Sequence, residues 1–206
     1  MTGSIEFYFD FSSPYSYFAS HKVEILADKH GREVAWKPVM IGAAFKQTGA
    51  LPLTETPLKG EYAKHDWQRL ARFMEVPWTL PEPFPIAALA PSRAFYWLAD
   101  KNPGQARLFA RTAFAAYYGE GRDISSADVV ADLAAPLHVE RSELLAAIEE
   151  PAIKERLKRE TEQAVHRGVF GAPFIFIDGE PFWGSDRMWM IDKYMETPGL
   201  FKISDT

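Results

Sequence analysis

Ser13 and Ser16 flank Pro14-Tyr15 at a junction where an apolar alternating stretch gives way to an apolar helical one. With cysteine at both serines the stretch would be a Cys-x-x-Cys dithiol, the signature of a redox loop. The chain of 206 residues contains no cysteine. Its own side chains therefore provide no redox couple, no disulfide framework and no zinc thiolate site. What the loop does offer is a hydroxyl. Ser13 stands at a helix N-cap position, before a proline suited to a first helical turn, and capping alone would account for it. Other candidates for chemistry are weaker. His21, His30, His65, His138 and His166 fall in no metal-ligand or hydrolase spacing, and no Gly-x-Ser-x-Gly occurs. The stretch GEGRD (119–123) is too short for a phosphate-cradling loop.

The elements around the loop follow from periodicity. Ile5, Phe7, Phe9 and Phe11 alternate with Glu6, Tyr8 and Asp10, which predicts a strand over 5–11. Tyr15, Phe18, Ala19, Val23 and Leu26 recur at helical spacing, predicting one helix from Pro14 to Gly31. Residues 33–39 read as a second strand, completing a βαβ unit with a parallel pair. The segment 40–57 reads as a loop. Helices are expected over 58–76, 88–101, 104–118, 125–134, 140–148 and 151–167, separated by prolines and glycines, with Ser125 and Ser142 as openings. Strands return at 173–178 and 181–184 around a Gly179-Glu180 turn, followed by a helix over 186–196.

Apolar residues make up 47% and charged residues 25%, the balance of a globular domain with one substantial core. A net charge of -5 argues against nucleic acid as a partner. The 14% aromatic content points to an aromatic-lined pocket as well as a core. No stretch long and apolar enough to span a membrane is present, and no signal peptide is read at the N-terminus, so a cytoplasmic location is expected.

Three stretches make the pattern specific: FYFDFSSPYSYFA (7–19), YAKHDWQRLARFMEVPW (62–78) and VFGAPFIFIDGEPFWGSDR (169–187). Together with the element order they resemble the 2-hydroxychromene-2-carboxylate isomerases, a DsbA-like thioredoxin-fold group related to the kappa-class glutathione transferases. The resemblance implies an α/β, thioredoxin-like fold with a large all-helical insertion between its βαβ and ββα halves. Residues 1–40 and 169–206 would form the thioredoxin-like domain, and 41–168 the connecting loop and insertion. It also implies that the missing thiol arrives on glutathione, as cofactor. A free thiol has a pKa near ~8.5, which a helix N-terminus and a hydroxyl donor both lower. A charge-assisted hydrogen bond from Ser13 is worth roughly 1.5–3 kcal/mol, about one to two pKa units. Ser13 is thus the expected catalytic residue.

The same resemblance assigns the remaining site. Ala172-Pro173 stands where the fold carries a cis proline, with the Ala172 backbone pairing to the cysteinyl part of glutathione. Trp183, Gly184, Ser185 and Asp186 would receive the γ-glutamyl end, Ser185 and Asp186 also being natural caps for the last helix. Lys59 would meet a glutathione carboxylate and Lys46 a substrate carboxylate, while Phe45, Phe84 and Trp183 would border an aromatic substrate. Asp66 and Arg69, three apart, read as a structural ion pair. The reaction implied is reversible thiolate addition to an aromatic enone acid, a step of naphthalene breakdown, in a homodimer. Two departures stand out: 51–57 lacks the Asn-Arg pair of the isomerases, and Phe84 replaces a frequent tyrosine. The alternatives are a kappa-like glutathione transferase or peroxidase, and a non-catalytic thioredoxin-fold binding module.

Overall fold

A computed structural model describes residues 3–197; the ends of the expected thioredoxin-like domain, 1–2 and 198–206, lie outside the described residues. Strands β1 (Ile5–Phe9), β2 (Val34–Pro38), β3 (Phe174–Ile177) and β4 (Glu180–Trp183) form one sheet in the order β2-β1-β3-β4. β1 pairs parallel to β2, with Phe7 opposite Trp36, and antiparallel to β3, with Phe7 opposite Ile175. This is the expected βαβ and ββα arrangement. The β3–β4 turn falls on Asp178-Gly179, one residue earlier than predicted. Both residues have positive φ, 53° and 89°, which an Asp-Gly pair tolerates at a tight hairpin.

The helices are α1 (Pro14–Ser20), α2 (Val23–Lys29), α3 (Gly42–Thr48), α4 (Lys59–Met74), α5 (Leu89–Lys101), α6 (Pro103–Phe114), α7 (Ala127–Ala134), α8 (Arg141–Ala147), α9 (Pro151–His166) and α10 (Met188–Glu196). α4 to α9 form the insertion. The single helix expected over 14–31 is two, parted at His21-Lys22. Ser20 Oγ donates to the Tyr17 carbonyl at 2.6 Å, the kind of back-bond that bends or ends a helix. α3 replaces part of the expected loop. Ser125 and Ser142 are not the caps: α7 opens from Ser126 and α8 from Glu140, and Ser125 instead donates to Asp123.

Phe7, Phe9 and Phe11 point to one face of the sheet, where Trp36, Phe95 of α5 and Phe114 of α6 meet them at ring-centroid distances of 5.0–5.8 Å. Burying each such ring contributes roughly 1.5–3 kcal/mol. The alternation predicted a polar opposite face, but Tyr8 and Asp10 are buried as well, at 5% and 4% exposure. Tyr8, Phe174 and Phe176 pack there with Ala164 of α9 and Val169, so the sheet is covered on both sides.

Candidate active site

Where β1 ends, the chain turns into α1 through Asp10, Phe11, Ser12 and Ser13. Ser13 is the N-cap, with extended φ and ψ of -103° and 112°. Its Oγ accepts the Ser16 N–H at 3.2 Å and donates to the Ala172 carbonyl at 2.8 Å. One hydroxyl thereby starts the helix and ties the Ser-Pro loop to the Ala-Pro loop 159 residues on. α1 has seven residues, so the contribution of a helix dipole to this tip is small and the hydroxyl is the principal local donor.

Asp10 is the structural keystone of the loop, a role its place in an aromatic strand did not reveal. Its carboxylate accepts the Ser12 N–H at 2.8 Å and the Ile41 N–H at 2.9 Å. Ile41 is the N-cap residue of α3, so that helix is opened by a carboxylate from a distant loop. Burial pushes the Asp10 carboxyl up to about 6, against the lowering effect of its two N–H donors. Ser12 Oγ accepts the Ile86 N–H at 2.9 Å and so fixes the proline-rich segment that carries Phe84. Tyr17 and Tyr117 hold the same segment, donating to the carbonyls of Pro77 and Pro83 at 2.7 and 2.8 Å. Phe84 is half-buried, its ring 5.6 Å from Trp67 and 6.5 Å from Tyr117.

The Ala172-Pro173 peptide is cis, as are Glu82-Pro83 and Phe84-Pro85. The Pro173 carbonyl accepts the Gly184 N–H at 3.1 Å, which brings the turn 183–187 beside the cis proline. Gly184 has φ 108°, and a Cβ there would run into the Asp186 carboxylate. Gly171 is equally constrained, since a Cβ would occupy the place of the Trp183 indole. Ser185 and Asp186 lie in a 3-10 turn (Ser185–Arg187) before α10 and make no side-chain cap. That corrects the capping role expected for them; Asp186 pairs instead with Arg187 at 2.6 Å.

A cleft of about 1720 Å³ opens above these loops. Ser13, Ala172, Pro173, Trp183, Gly184, Ser185 and Asp186 line one stretch of it, and Phe45, Lys46, Lys59 and Phe84 line its other parts. The structure therefore brings every sequence-predicted site residue to one cavity. It adds Tyr15, Lys22, Tyr62, Asp66 and Trp67, which the sequence did not single out for binding. Asp66 does pair with Arg69 as expected, and it also accepts the Tyr15 hydroxyl at 2.9 Å. Burial, then the Asp66 carboxylate, push the Tyr15 phenol well above the ordinary tyrosine range, so it stays protonated at neutral pH. Lys22, Lys46 and Lys59 have no carboxylate within ion-pair distance, whereas every other lysine among the described residues has one. Those three lysines all line this cleft and, with Arg187 against Asp10, Asp66 and Asp186, leave its lining a small cationic excess.

Residues 4–196 match the DSBA-like thioredoxin domain family. The chain is 32% identical to a 2-hydroxychromene-2-carboxylate isomerase of Sphingobium xenophagum over 95% of its own length and 99% of that protein's. It is 26% identical to glutathione S-transferase kappa 2 of Caenorhabditis elegans, over 94% of this chain and 92% of that one. A solved structure of a 2-hydroxychromene-2-carboxylate isomerase superposes with a TM-score of 0.85 at 28% identity, covering 93% of this chain and 94% of the other. With its serine-capped loop, cis proline and helical insertion, this chain belongs to the DSBA-like thioredoxin family, in its 2-hydroxychromene-2-carboxylate isomerase branch.

Proposed function

We propose that the protein is a glutathione-dependent isomerase acting on 2-hydroxychromene-2-carboxylate and trans-o-hydroxybenzylidenepyruvate, or on a similar aromatic enone acid. The observation that carries this is the Ser13 hydroxyl, fixed by the Ser16 N–H and turned to the Ala172 carbonyl at the floor of a cationic, aromatic-lined cleft. The residues present suit glutathione. Lys46 and Lys59 are unpaired cations for carboxylates, Ala172 is a half-buried backbone edge, and the Ser185-Asp186 turn offers polar groups to an amino-acid end. Bound there, glutathione would supply a thiolate able to add reversibly to the enone.

The chain's own part is electrostatic. Ser13 Oγ keeps its place through the Ser16 N–H while its proton swings from the Ala172 carbonyl toward sulfur. The exchange gives up a neutral hydrogen bond, worth about 0.5–1.5 kcal/mol, for a charge-assisted one of about 1.5–3 kcal/mol. It also frees the Ala172 carbonyl to accept a peptide N–H from the ligand. Lys46 holds the substrate carboxylate, and Phe45, Phe84 and Trp183 border its ring. The missing Asn-Arg pair and the Phe84 ring, which carries no hydroxyl, favour a second reading: transfer of glutathione to an apolar electrophile without its return. A homodimer in the cytoplasm completes the proposal.

The test is an absorbance assay on the chromene acid with and without glutathione. The proposal expects isomerisation only when glutathione is present, and about 10–100-fold less in Ser13→Ala. Turnover without glutathione, or undiminished turnover in Ser13→Ala, would overturn it. Stable adducts in place of isomerised acid would favour the transferase reading.

A further inference from the structure

α9 buries Ile153, Leu157, Thr161 and Ala164, a stripe at helical spacing. Thr161 is the polar member of that stripe and is 4% exposed. A buried hydroxyl is unfavourable unless it is hydrogen-bonded, so its partner matters. That partner is a backbone amide of the segment leading into α3: Thr161 Oγ1 accepts the Met40 N–H at 3.2 Å. The neighbouring amides are taken up elsewhere. The Val39 N–H donates to the Phe9 carbonyl at 2.8 Å, extending the β1–β2 pairing, and the Ile41 N–H donates to Asp10. Consecutive amides are thus received by β1, α9 and the β1–α1 loop in turn. The helix that follows has little else to hold it. α3 is seven residues long, has no side-chain cap from its own N-cap residue and buries one side chain, Ala44. Its first turn is built on the same two residues, since the Met40 and Ile41 carbonyls accept the Ala43 and Ala44 N–H groups at 3.0 and 2.9 Å. Gly42, Ala43, Phe45, Lys46 and Thr48 line the cleft, so this thinly buried helix is one of its walls.

We propose that Thr161 is a positioning residue for the electrophile: by fixing the Met40 amide while Asp10 fixes that of Ile41, it sets the direction in which α3 leaves the sheet and so places Phe45 and Lys46. One bond alone would leave the helix free to swing about it. Two bonds on consecutive residues, from separate elements, define its axis. Lys46 lies five residues beyond Ile41, an axial rise of about 7.5 Å, so a tilt of about 10° at the start of α3 displaces it by about 1 Å. A displacement of that size at a group that positions substrate can cost as much as about 100-fold in rate. Thr161 is not among the residues that line the cleft, so it acts only through α3. The loops at Ser13 and Ala172 are tied to each other by their own bond, which leaves the glutathione end independent of Thr161. For the acid that Lys46 holds, this inference rests on the isomerase reading, but the tie between α9 and α3 is testable without turnover.

Steady-state kinetics on the intact protein, with the chromene acid and glutathione varied in turn, provide one half of the test. Thr161→Val keeps the side-chain shape and removes the acceptor. It should raise KM for the acid about tenfold and leave kcat and the KM for glutathione within about twofold. Thr161→Ser, which retains the hydroxyl, should restore the wild-type KM. Lys46→Met should raise the same KM, and Thr161→Val added to it should change little further, because both act on one contact. An unchanged KM in Thr161→Val, an equal rise for both ligands, no recovery in Thr161→Ser, or additive effects in the double variant would overturn the inference. Amide hydrogen exchange, followed by nuclear magnetic resonance on the protein without ligands, provides the other half. In Thr161→Val the amides of Met40, Ala43 and Ala44 should exchange about tenfold faster than in the wild type, and that of Val39 should not change. Equal exchange in the two proteins would overturn the inference whatever the substrate. Absence of turnover by the wild type would remove the isomerase reading, and the exchange rates would then decide by themselves whether Thr161 sets α3.

Discussion

Ser13 serves two partners with one oxygen, and the two uses separate on mutation. Ser13→Ala removes the N-cap and the tie to Ala172, so the unfolding free energy should fall by about 1 kcal/mol, which denaturant titration will read. The rate loss expected in the same variant is larger in free-energy terms, because the bond lost there is to a developing negative charge. Asp10 gives a prediction of opposite character. Its carboxyl titrates at about 6 in the fold against 3.8 in its ordinary state, because burial disfavours the charge. The native state thus keeps a proton that the unfolded chain releases near pH 4. The stability this adds is full below about pH 4 and is lost as the pH rises through 6, about 3 kcal/mol in all. Measured against Asp10→Asn, which cannot titrate, the wild type should lose about that much stability between pH 4 and 7; a pH-independent difference would contradict the assignment.

At the level of elements, three loops meet at the site: β1–α1, the segment before β3, and the turn into α10. The hinge of the last is Gly184, with φ 108° and the Asp186 carboxylate where a Cβ would go. Gly184→Ala should destabilise the fold by about 1–3 kcal/mol and weaken glutathione binding, as read by thermal melting and calorimetry; unchanged values would mean that the turn is not held as described. The sequence made most of these elements legible. The insertion helices announce themselves because proline and glycine punctuate long amphipathic runs, and β1 because its aromatic residues alternate. Where sequence reading went astray, the cause is tertiary. α3 has no local cap, since its opening N–H is received by Asp10 from another loop. The break between α1 and α2 leaves the apolar period in phase, so only the Ser20 back-bond marks it. Ser13, Ala172 and the Trp183–Asp186 turn were legible from their motifs. Tyr15, Trp67 and Lys22 were not, because each reads as an ordinary helix residue until α1 and α4 are set side by side.

The whole molecule is a sheet buried on both faces, with a helical insertion that roofs the cleft its loops create. The chain is acidic overall, at -5, yet the lysines unpaired among the described residues, Lys22, Lys46 and Lys59, all line that cleft. Anionic ligands are therefore drawn to one place on a negatively charged surface, and the attraction is open to screening. The KM for glutathione should rise several-fold between about 0.02 and 0.5 M salt while kcat changes little, whereas a salt-independent KM would mean that the lysines do not steer. Among the described residues no helix is long and apolar enough to cross a membrane. The account as a whole depends on a thiol being made acidic by a protein that contains none, and the ultraviolet absorbance of the thiolate, followed against pH with glutathione bound, measures that directly. Bound to the wild type, the glutathione thiol should titrate about one unit below its ordinary value near ~8.5, the net of the exchanged hydrogen bonds, and most of that shift should vanish in Ser13→Ala. An unshifted thiol, or one shifted equally in both proteins, would contradict the account.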